Sequence, residues 1–547
     1  MRLIVVGAVA AGTSAAAKAR RNDESAEIVI YDKDSFISYS ACGMPYFIGG
    51  EIDSADKLTP RNPEFFKSKY NVDILIRHEV LSIDAQNKTL EILNLSTGET
   101  FKDFYDKLII ATGASSVLLP IKGVDQRNVF TLRNIGDMNR IKAYINEFSP
   151  KSAVIVGTGF IGLEVCENLK RLGIEVTLVE RLPQVTPGLD EDMAVYVEDH
   201  LRKNGVTVLT GTSATEIRED RVLLNDGREI TADFILLSAG VRPNTELAVH
   251  AGVELGVTKA IKVNEKMMTN IKDIYSCGDC SEQFHIVTGK PVYRPMGSTA
   301  NKTGRIAGDV VTGGSLTFRG ILGTGIFKIF GMTVALTGLS ERDAKNEGYE
   351  VEVCHNIKPN KPEYMGGQEM VIKGIADKET GRLLGAQIVG YEGVDKRIDV
   401  FVAAITYKAN VADLFHLDLA YAPPFSTTKD PVMYTGMILD NAINRNRKLI
   451  TADNLVSLME SGESYQLIDV RTSSQYETDH IETAVNMPHE KLRDMLKELD
   501  PNVTTALYCN KGVTGNAAQN ILINNGFKDV YNISGGHKQF KKSKRPL

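Results

Sequence analysis

The sequence predicts an α/β protein with two strand–glycine-turn–helix units, a third α+β region and a separate α/β module at its C-terminal end. Three observations carry this. Residues 3–6, "LIVV", lead into "GAVAAG" and then the helical stretch "TSAAAKARR". Residues 152–181, "SAVIVGTGFIGLEVCENLKRLGIEVTLVER", repeat the same order. After "NRNRK" at 444–448 the hydrophobic pattern is reset, and a new helix–strand alternation follows. At 547 residues the chain is too long for one core, since domains run to roughly 150 residues.

Composition narrows the function class. The 43% hydrophobic and 24% charged content is that of an ordinary globular protein. A formal charge of −6 without a basic block argues against nucleic acid as a partner. No apolar run approaches the ~18 residues that suggest a membrane span. The start, "MRLIVVGAVAAG", lacks the basic region of a signal peptide and runs directly into a strand, so a cytoplasmic protein is expected. The six cysteines, at 42, 166, 277, 280, 354 and 509, are irregularly spaced, which does not suit a disulfide framework. "CGDC" at 277–280 has CxxC spacing but no second CxxC or paired histidine, and no metal is expected. Cys354 and His355 are neighbours without further ligands, and Cys166 reads as packing inside a helix.

In the first unit, Gly7 allows a tight turn and Gly12 allows the helix to pack close to the strand. The helix N-terminus then offers free N–H groups to a pyrophosphate. The next strand, "AEIVIYD", ends in Asp32, twenty residues past Gly12, where a ribose-binding carboxylate belongs. Val9 replaces the middle glycine of GxGxxG, so a plain βαβ turn stays open at this point. The second unit has all three glycines, Gly157, Gly159 and Gly162, and Glu180 eighteen positions further on. A carboxylate there accepts a ribose 2′-OH and repels a 2′-phosphate, favouring NADH over NADPH. Arg181 keeps pairing with a phosphate open.

Three further stretches complete a pattern: "YDKLIIATGA" (105–114), "FILLSAGVRPN" (234–244) and "TNIKDIYSCGDCSE" (269–282). Together with the two glycine units they resemble the two-dinucleotide flavoprotein disulfide reductase family over about residues 1–440. The resemblance implies two Rossmann-like domains, for FAD and NADH, and an α+β dimerisation domain in a homodimer. The expected boundaries are 1–115 with 242–316 for the FAD domain, 116–241 for the NAD domain and 317–443 for dimerisation. It places FAD contacts on Gly7, Ala11, Gly12, Asp32, Lys33, Val80, Ala111, Thr112, Gly113 and Asp279, the last on the ribityl chain. NADH contacts fall on Gly157, Gly159, Phe160, Ile161, Gly162, Glu164, Glu180, Ala239 and Gly240, with Phe160 and Glu164 at the nicotinamide. "CGDC" becomes a cofactor loop, with Cys277 and Cys280 as bystanders.

"SYSACGMPYFIGG" at 38–50 holds a single cysteine where two-cysteine members of this family carry CxxxxC. Without a resolving thiol, Cys42 must find its redox partner outside the chain, as a persulfide, sulfenic acid or mixed disulfide. It is expected to react as a thiolate. "SYSACGMPY", "GAVAAG" and "LAYAPPFSTTKDPV" (419–432) resemble coenzyme A-disulfide reductases most closely. Peroxidases of the superfamily carry a histidine in the first glycine turn, and "AVAA" at 8–11 has none. The resemblance places coenzyme A contacts on Ser14, Lys18, Arg21, Ser38, Asn301 and Lys429, and Arg20 joins the basic helix stretch; a solvated helix face is the alternative. Tyr364 and Tyr421 resemble a tyrosine pair reaching the thiol from the partner subunit, able to stabilise a departing thiolate. Ala41, Lys18 and Met365 depart from residues common at those positions and leave the thiol substrate open.

The C-terminal stretch holds a strand ending in Asp469-Val-Arg471 and, at 504–540, "TTALYCNKGVTGNAAQNILINNGFKDVYNISGGHKQF". It resembles a rhodanese domain over 451–547. Cys509 ends a strand, and "NKGVTG" would curl backbone N–H groups around its sulfur, stabilising a thiolate or persulfide. Thr514 stands where such loops often carry Arg, so anionic donors such as thiosulfate are expected to bind poorly; an inactive rhodanese fold is the alternative. The combined expectation is an FAD-dependent NADH oxidoreductase that reduces coenzyme A persulfide, polysulfide or coenzyme A disulfide at Cys42, with Cys509 handling sulfane sulfur. An NADH oxidase and a redox-sensing sulfur carrier are the rivals.

Overall fold

The computed structural model describes residues 1–544; the last three positions of the 451–547 module lie outside the described residues. The chain divides into two compact units. The first comprises Met1–Pro183 and Val206–Ile321; the second comprises Gln184–Gly205 and the chain from Leu322 onward.

The first unit holds two five-stranded parallel sheets. One runs in the order Ile274–Ser276, Lys107–Ile110, Arg2–Val6, Glu27–Tyr31, Asp73–Leu75. The other runs Thr207–Leu209, Glu175–Val179, Ser152–Val156, Phe234–Leu237, Val129–Phe130. Leu3, Ile4, Val154 and Ile155 are fully buried, as central strands covered on both faces require. Each sheet has an antiparallel three-stranded neighbour, at His78–Asp84, Thr89–Asn94 and Thr100–Phe104, and at Ala214–Arg218, Arg221–Leu224 and Glu229–Thr231. Helix Ala10–Asn22 lies against helix Gly297–Val310, and a methyl at Gly304 or Gly308 would collide with the carbonyls of Ala11 or Ala15.

Arg20 leaves the expected basic patch on this helix. It is buried, and its guanidinium donates to the carbonyls of Tyr70, Glu24, Ala26 and Asn71 at 2.5–2.9 Å. Five-donor geometry suits Arg to tying down loop carbonyls, and none of that charge is left for a ligand.

In the second unit an antiparallel sheet runs Gly325–Ile329, Met332–Gly338, Leu383–Gly390, Glu369–Asp377, Val351–Pro359. A parallel sheet follows in the order Leu449–Ile450, Val530–Ile533, Thr504–Tyr508, Tyr465–Asp469, Val485–Asn486. A buried charged cluster links these elements. Lys373, 1% exposed, pairs with Asp192 at 2.8 Å, Glu341 at 2.7 Å and Asp190 at 3.2 Å. Asp192 also takes His355 Nε2 at 2.8 Å, and the other side of that ring meets Ser534 Oγ at 3.0 Å. Asp190 and Asp192 come from Gln184–Gly205, which therefore belongs with this unit although it lies inside the 116–241 stretch.

A second buried pair, Arg397 and Asp430 at 2.9 Å, shapes the loops carrying two candidate tyrosines. Ser426 Oγ donates to Asp430 at 2.7 Å and Arg397 donates to the Asn360 carbonyl at 2.8 Å. Asn360 in turn closes the loop at Gln368, which contains Tyr364. Among the described residues no helix is long and apolar enough to cross a membrane.

Candidate active site

The two glycine units fold alike. Gly7 and Gly157 have φ of +109° and +104°, the left-handed region open to glycine, and their N–H groups donate to Tyr31 and Val179. A methyl at Gly12 or Gly162 would strike the carbonyl of Gly7 or Gly157. Asp32 accepts the Ala8 N–H at 2.6 Å, and Glu180 accepts the Thr158 N–H at 3.0 Å. Burial pushes the Asp32 carboxyl up, countered by the backbone N–H groups of Asp34 and Ala8. Val9 is the N-cap of the first helix, with φ −94° and ψ −114°, outside both the helical and the extended regions.

These features fit a dinucleotide at each sheet end. Neither helix Ala10–Asn22 nor helix Phe160–Arg171 has a side-chain cap, so the first-turn N–H groups face outward beside a buried carboxylate. Ala111, Thr112 and Gly113 sit beside the first turn, where Thr112 exchanges hydrogen bonds with Asn244 at 2.7 and 2.8 Å. Gly278 packs on Ala11, which brings Asp279 to the same sheet end. Val80 is buried on its strand, and Lys33 is exposed, 3.6 Å from Glu79. Ala239 and Gly240 follow strand Phe234–Leu237, and Ile161 is exposed at the second helix start.

Cys42 lies on the short turn Ala41–Gly43, followed by helix Met44–Ile48. That helix packs on Phe160–Arg171, with Gly49 tight against the Asn168 side chain. The thiol is exposed, while the other five cysteines are buried. Partial burial pushes it up, the Glu164 carboxylate adds to this, and Arg133 opposes. The expected thiolate is therefore not favoured by the chain's own groups; in the protein alone the neutral thiol is the preferred form. Burial raises Glu164 itself to about 7 despite a hydrogen bond from Tyr46. Arg133 pairs with Asp279 at 2.7 Å and donates to the Ala114 carbonyl at 2.8 Å. Cys42 thus senses Glu164 from the second glycine unit and Asp279 from the first, placing it where the two sites meet.

Arg133 was not singled out from the sequence because it belongs to no spaced motif; Tyr46 lies inside the quoted "SYSACGMPY" stretch, but its hydrogen bond to Glu164 depends on the packing of two helices. Cys277 and Cys280 are fully buried beneath Asp279, and burial holds Cys277 well above the ordinary thiol range, in keeping with a packing role. No group of three metal-ligating side chains occurs among the described residues.

Of the candidate coenzyme A contacts, Ser14 Oγ donates to the Asn301 carbonyl at 3.1 Å. Lys18 is 3.0 Å from Asp309, which compensates its charge, and exposed Arg21 donates Nε to Ala17. Ser38 has a φ of 47°, held by its N–H on the Ala8 carbonyl. In the second unit Tyr364 and Tyr421 are 76% and 48% exposed, and Lys429 is exposed beside Tyr434.

Cys509 follows strand Thr504–Tyr508, and the Gly512 N–H donates to its sulfur at 3.2 Å. Gly512 has a φ of +91°, which turns the loop into helix Val513–Asn524. Asp469 and Arg471 form a buried pair at 2.6 Å below the loop, and His537 stacks on Tyr508. Thr514 is exposed in the helix's first turn.

The pyridine nucleotide-disulphide oxidoreductase model matches residues 1–299, its dimerisation-domain model matches 325–431, and a rhodanese-like domain model matches 451–543. The chain belongs to the pyridine nucleotide-disulphide oxidoreductase family. Membership implies FAD and NAD(P)H as cofactors. An NADH oxidase of Methanocaldococcus jannaschii is 37% identical over 79% of this chain and 97% of its own. A CoA-dependent NAD(P)H sulfur oxidoreductase of Pyrococcus furiosus is 36% identical over 80% of this chain and 99% of its own. Among solved structures, reduced Bacillus anthracis CoADR-RHD is 38% identical with a TM-score of 0.97, covering 99% of this chain and 98% of that one. An NAD-dependent persulfide reductase from A. fulgidus is 36% identical with a TM-score of 0.91, covering 99% and 100%. The mixed α/β architecture and the domain types expected from the sequence are thereby established for this family member.

The Glu164 geometry gives a direct expectation. Glu164→Gln removes a negative charge that disfavours the Cys42 thiolate, so iodoacetamide should alkylate Cys42 on the order of threefold faster at pH 7.5. The pH midpoint of that reaction should move down; an unchanged profile would show that the two groups do not interact.

Proposed function

We propose that the chain is a cytoplasmic, homodimeric NADH-dependent flavoenzyme that reduces the sulfur–sulfur bond of coenzyme A persulfide, polysulfide or coenzyme A disulfide. The observation that carries this is Cys42, the single exposed cysteine, at the junction of two dinucleotide cradles in a chain that also bears a rhodanese-like domain. When bound, the flavin supplies a route for the two electrons of a nicotinamide hydride to a sulfur–sulfur bond. Its holders are Gly7, Ala11, Gly12, Asp32, Lys33, Val80, Ala111, Thr112, Gly113 and Asp279, with Arg133 fixing the Asp279 carboxylate. The nicotinamide nucleotide falls to Gly157, Gly159, Phe160, Ile161, Gly162, Glu164, Glu180, Ala239 and Gly240. Glu180 at the second strand end supports NADH over NADPH.

Cys42 attacks the substrate's sulfur–sulfur bond as a thiolate. A bond forms between Cys42 and one sulfur, the substrate bond breaks, and the departing thiolate leaves with its electron pair. Glu164, poised at about 7, can hold the proton that the Cys42 thiol gives up. Tyr364 and Tyr421, exposed on their own unit, suit donation to a departing thiolate across a dimer interface. Arg21, Ser14, Asn301 and Ser38 would carry most of the coenzyme A contact, with Lys429 added and Lys18 reduced by its Asp309 pair. Cys509 supplies or removes sulfane sulfur. The domain assignment proposed is 1–115 with 242–316, 116–241, 317–443 and 451 onward.

The test is anaerobic NADH oxidation with each of the three substrates, using wild type, Cys42→Ser and Cys509→Ser. Turnover with sulfide or thiol release, lost in Cys42→Ser, is expected. The M. jannaschii relative's name favours a second reading, NADH oxidase. Rapid aerobic NADH turnover with no sulfur substrate, and none anaerobically with all three, would establish that reading instead.

A further inference from the structure

His355 is a buried titratable residue that the chemistry at Cys42 does not use, yet both its ring nitrogens are committed. Asp192, paired with Lys373, can only accept, so Nε2 carries the ring proton and donates it at 2.8 Å. In the neutral ring Nδ1 is then an acceptor, and the buried Ser534 hydroxyl donates to it at 3.0 Å. Ser534 Oγ also accepts the His355 backbone N–H at 2.7 Å. Ser534 follows strand Val530–Ile533 of the rhodanese-like stretch and leads into Gly535 and Gly536, with φ of +72° and +62°. These two left-handed residues turn the chain into helix Gly536–Ser543. The start of that helix holds the Cys509 loop from behind. The His537 N–H donates to the Cys509 carbonyl at 2.9 Å, and the Lys538 N–H donates to the Asn510 carbonyl at 3.1 Å. A methyl at Gly536 would strike the Cys509 carbonyl, and one at Gly535 would press on His355. The path from the imidazole to the cysteine therefore has no slack. The rest of the helix is fastened on the same side: Gln539 accepts from the Tyr196 hydroxyl at 2.8 Å and donates to the Asp192 carbonyl at 3.0 Å, and Lys542 pairs with Asp199.

We propose that His355, on a strand of the oxidoreductase part, is a positioning residue for Cys509, acting through Ser534 and the Gly535–Gly536 turn. It rests on Cys509 acting as a sulfur carrier. With Nδ1 removed, the Ser534 hydroxyl loses its acceptor and is free to rotate. Two glycines, the residues with the most backbone freedom, then no longer fix where helix Gly536–Ser543 begins. The carbonyls of Cys509 and Asn510 shift with it. At the front of the loop the Gly512 N–H meets the sulfur at 3.2 Å, and Asn532 holds the Gly512 carbonyl at 2.9 Å. That alignment needs the back of the loop to stay in place. His355 touches neither the sulfur nor its substrate, so its effect is on the rate at which Cys509 exchanges sulfur.

The test mixes the full chain anaerobically with inorganic polysulfide and follows the gain of one sulfur on the Cys509 peptide by mass spectrometry. In that transfer the Cys509 thiolate bonds to one sulfane sulfur, and the polysulfide leaves one sulfur shorter with the electron pair of the broken bond. His355→Ala and Ser534→Ala are each expected to slow the gain on the order of tenfold, and the double variant is expected to be no slower, as two ends of one hydrogen bond require. His355→Asn, whose amide oxygen can take the place of Nδ1, should recover to within about threefold of wild type. His355→Gln, which reaches Asp192 but offers Ser534 no acceptor, should stay slow. Recovery in His355→Gln and not in His355→Asn would mean that the ring serves Asp192 alone, and overturns the proposal. Additive losses in the double variant, or a wild-type rate in folded His355→Ala, overturn it as well, and both leave the carrier reading intact. No sulfur gained on Cys509 in wild type overturns the carrier reading and the positioning role with it.

Discussion

Cys42→Ser is expected to reduce NADH-linked turnover of coenzyme A persulfide or disulfide by ~10³-fold or more, while the variant still binds flavin. A serine hydroxyl does not ionise near neutrality and forms no bond to sulfur that thiol exchange could reverse. No substitute is at hand at this site, because Cys166, Cys277, Cys280 and Cys354 are buried and Cys277 and Cys354 are held far above the ordinary thiol range. Retention of the cofactor is expected because the cradle residues come from the strand ends and glycine turns rather than from the Ala41–Gly43 turn. Stopped-flow and steady-state assays on the flavin-loaded variant separate the two effects. Substantial sulfide release from Cys42→Ser would show that reduction happens elsewhere.

Lys373→Met is expected to destabilise the second unit by about 3–5 kcal/mol, the usual cost of leaving buried charge unpaired. The ammonium is 1% exposed and serves Asp190, Asp192 and Glu341 together. Burial alone would raise the Asp192 carboxyl, yet Lys373 and His355 hold it well below the usual range. A carboxylate depressed in the folded state contributes stability above its unfolded value near 3.8, and that contribution is lost as pH falls toward the folded value. Without Lys373 the carboxyls rise instead, and protonating them relieves the unpaired charge. The deficit of Lys373→Met relative to wild type should therefore be greatest near pH 7 and shrink toward pH 4. Thermal unfolding across that window measures it, and a deficit independent of pH would contradict the electrostatic origin.

The glycine turns were legible because everything they need is local. A strand, a left-handed glycine, a close-packed glycine and a carboxylate at the next strand end all fall within one short stretch of chain. Arg133 escaped notice because its partner, Asp279, is 146 residues away and no spacing announces the pair. The Lys373 cluster is hidden for the same reason, drawing on segments far apart in sequence. Arg20 shows the reverse error. Its position beside Lys18 and Arg21 suggested one basic face, but 3.6-residue periodicity turns it inward onto loop carbonyls. Cys42 stood out in the sequence by its isolation, and the structure shows it exposed, whereas the unfavourable influence of Glu164 on its thiolate required the packing of helix Met44–Ile48 on Phe160–Arg171.

The most direct measurement is to mix the prereduced full chain anaerobically with one equivalent of coenzyme A disulfide, quench in acid, and identify the modified cysteine by peptide mass spectrometry. The predicted result is a coenzyme A mixed disulfide on Cys42, formed with release of one coenzyme A thiol. Cys42 recovered unmodified, with the adduct on another cysteine or on none, would contradict it.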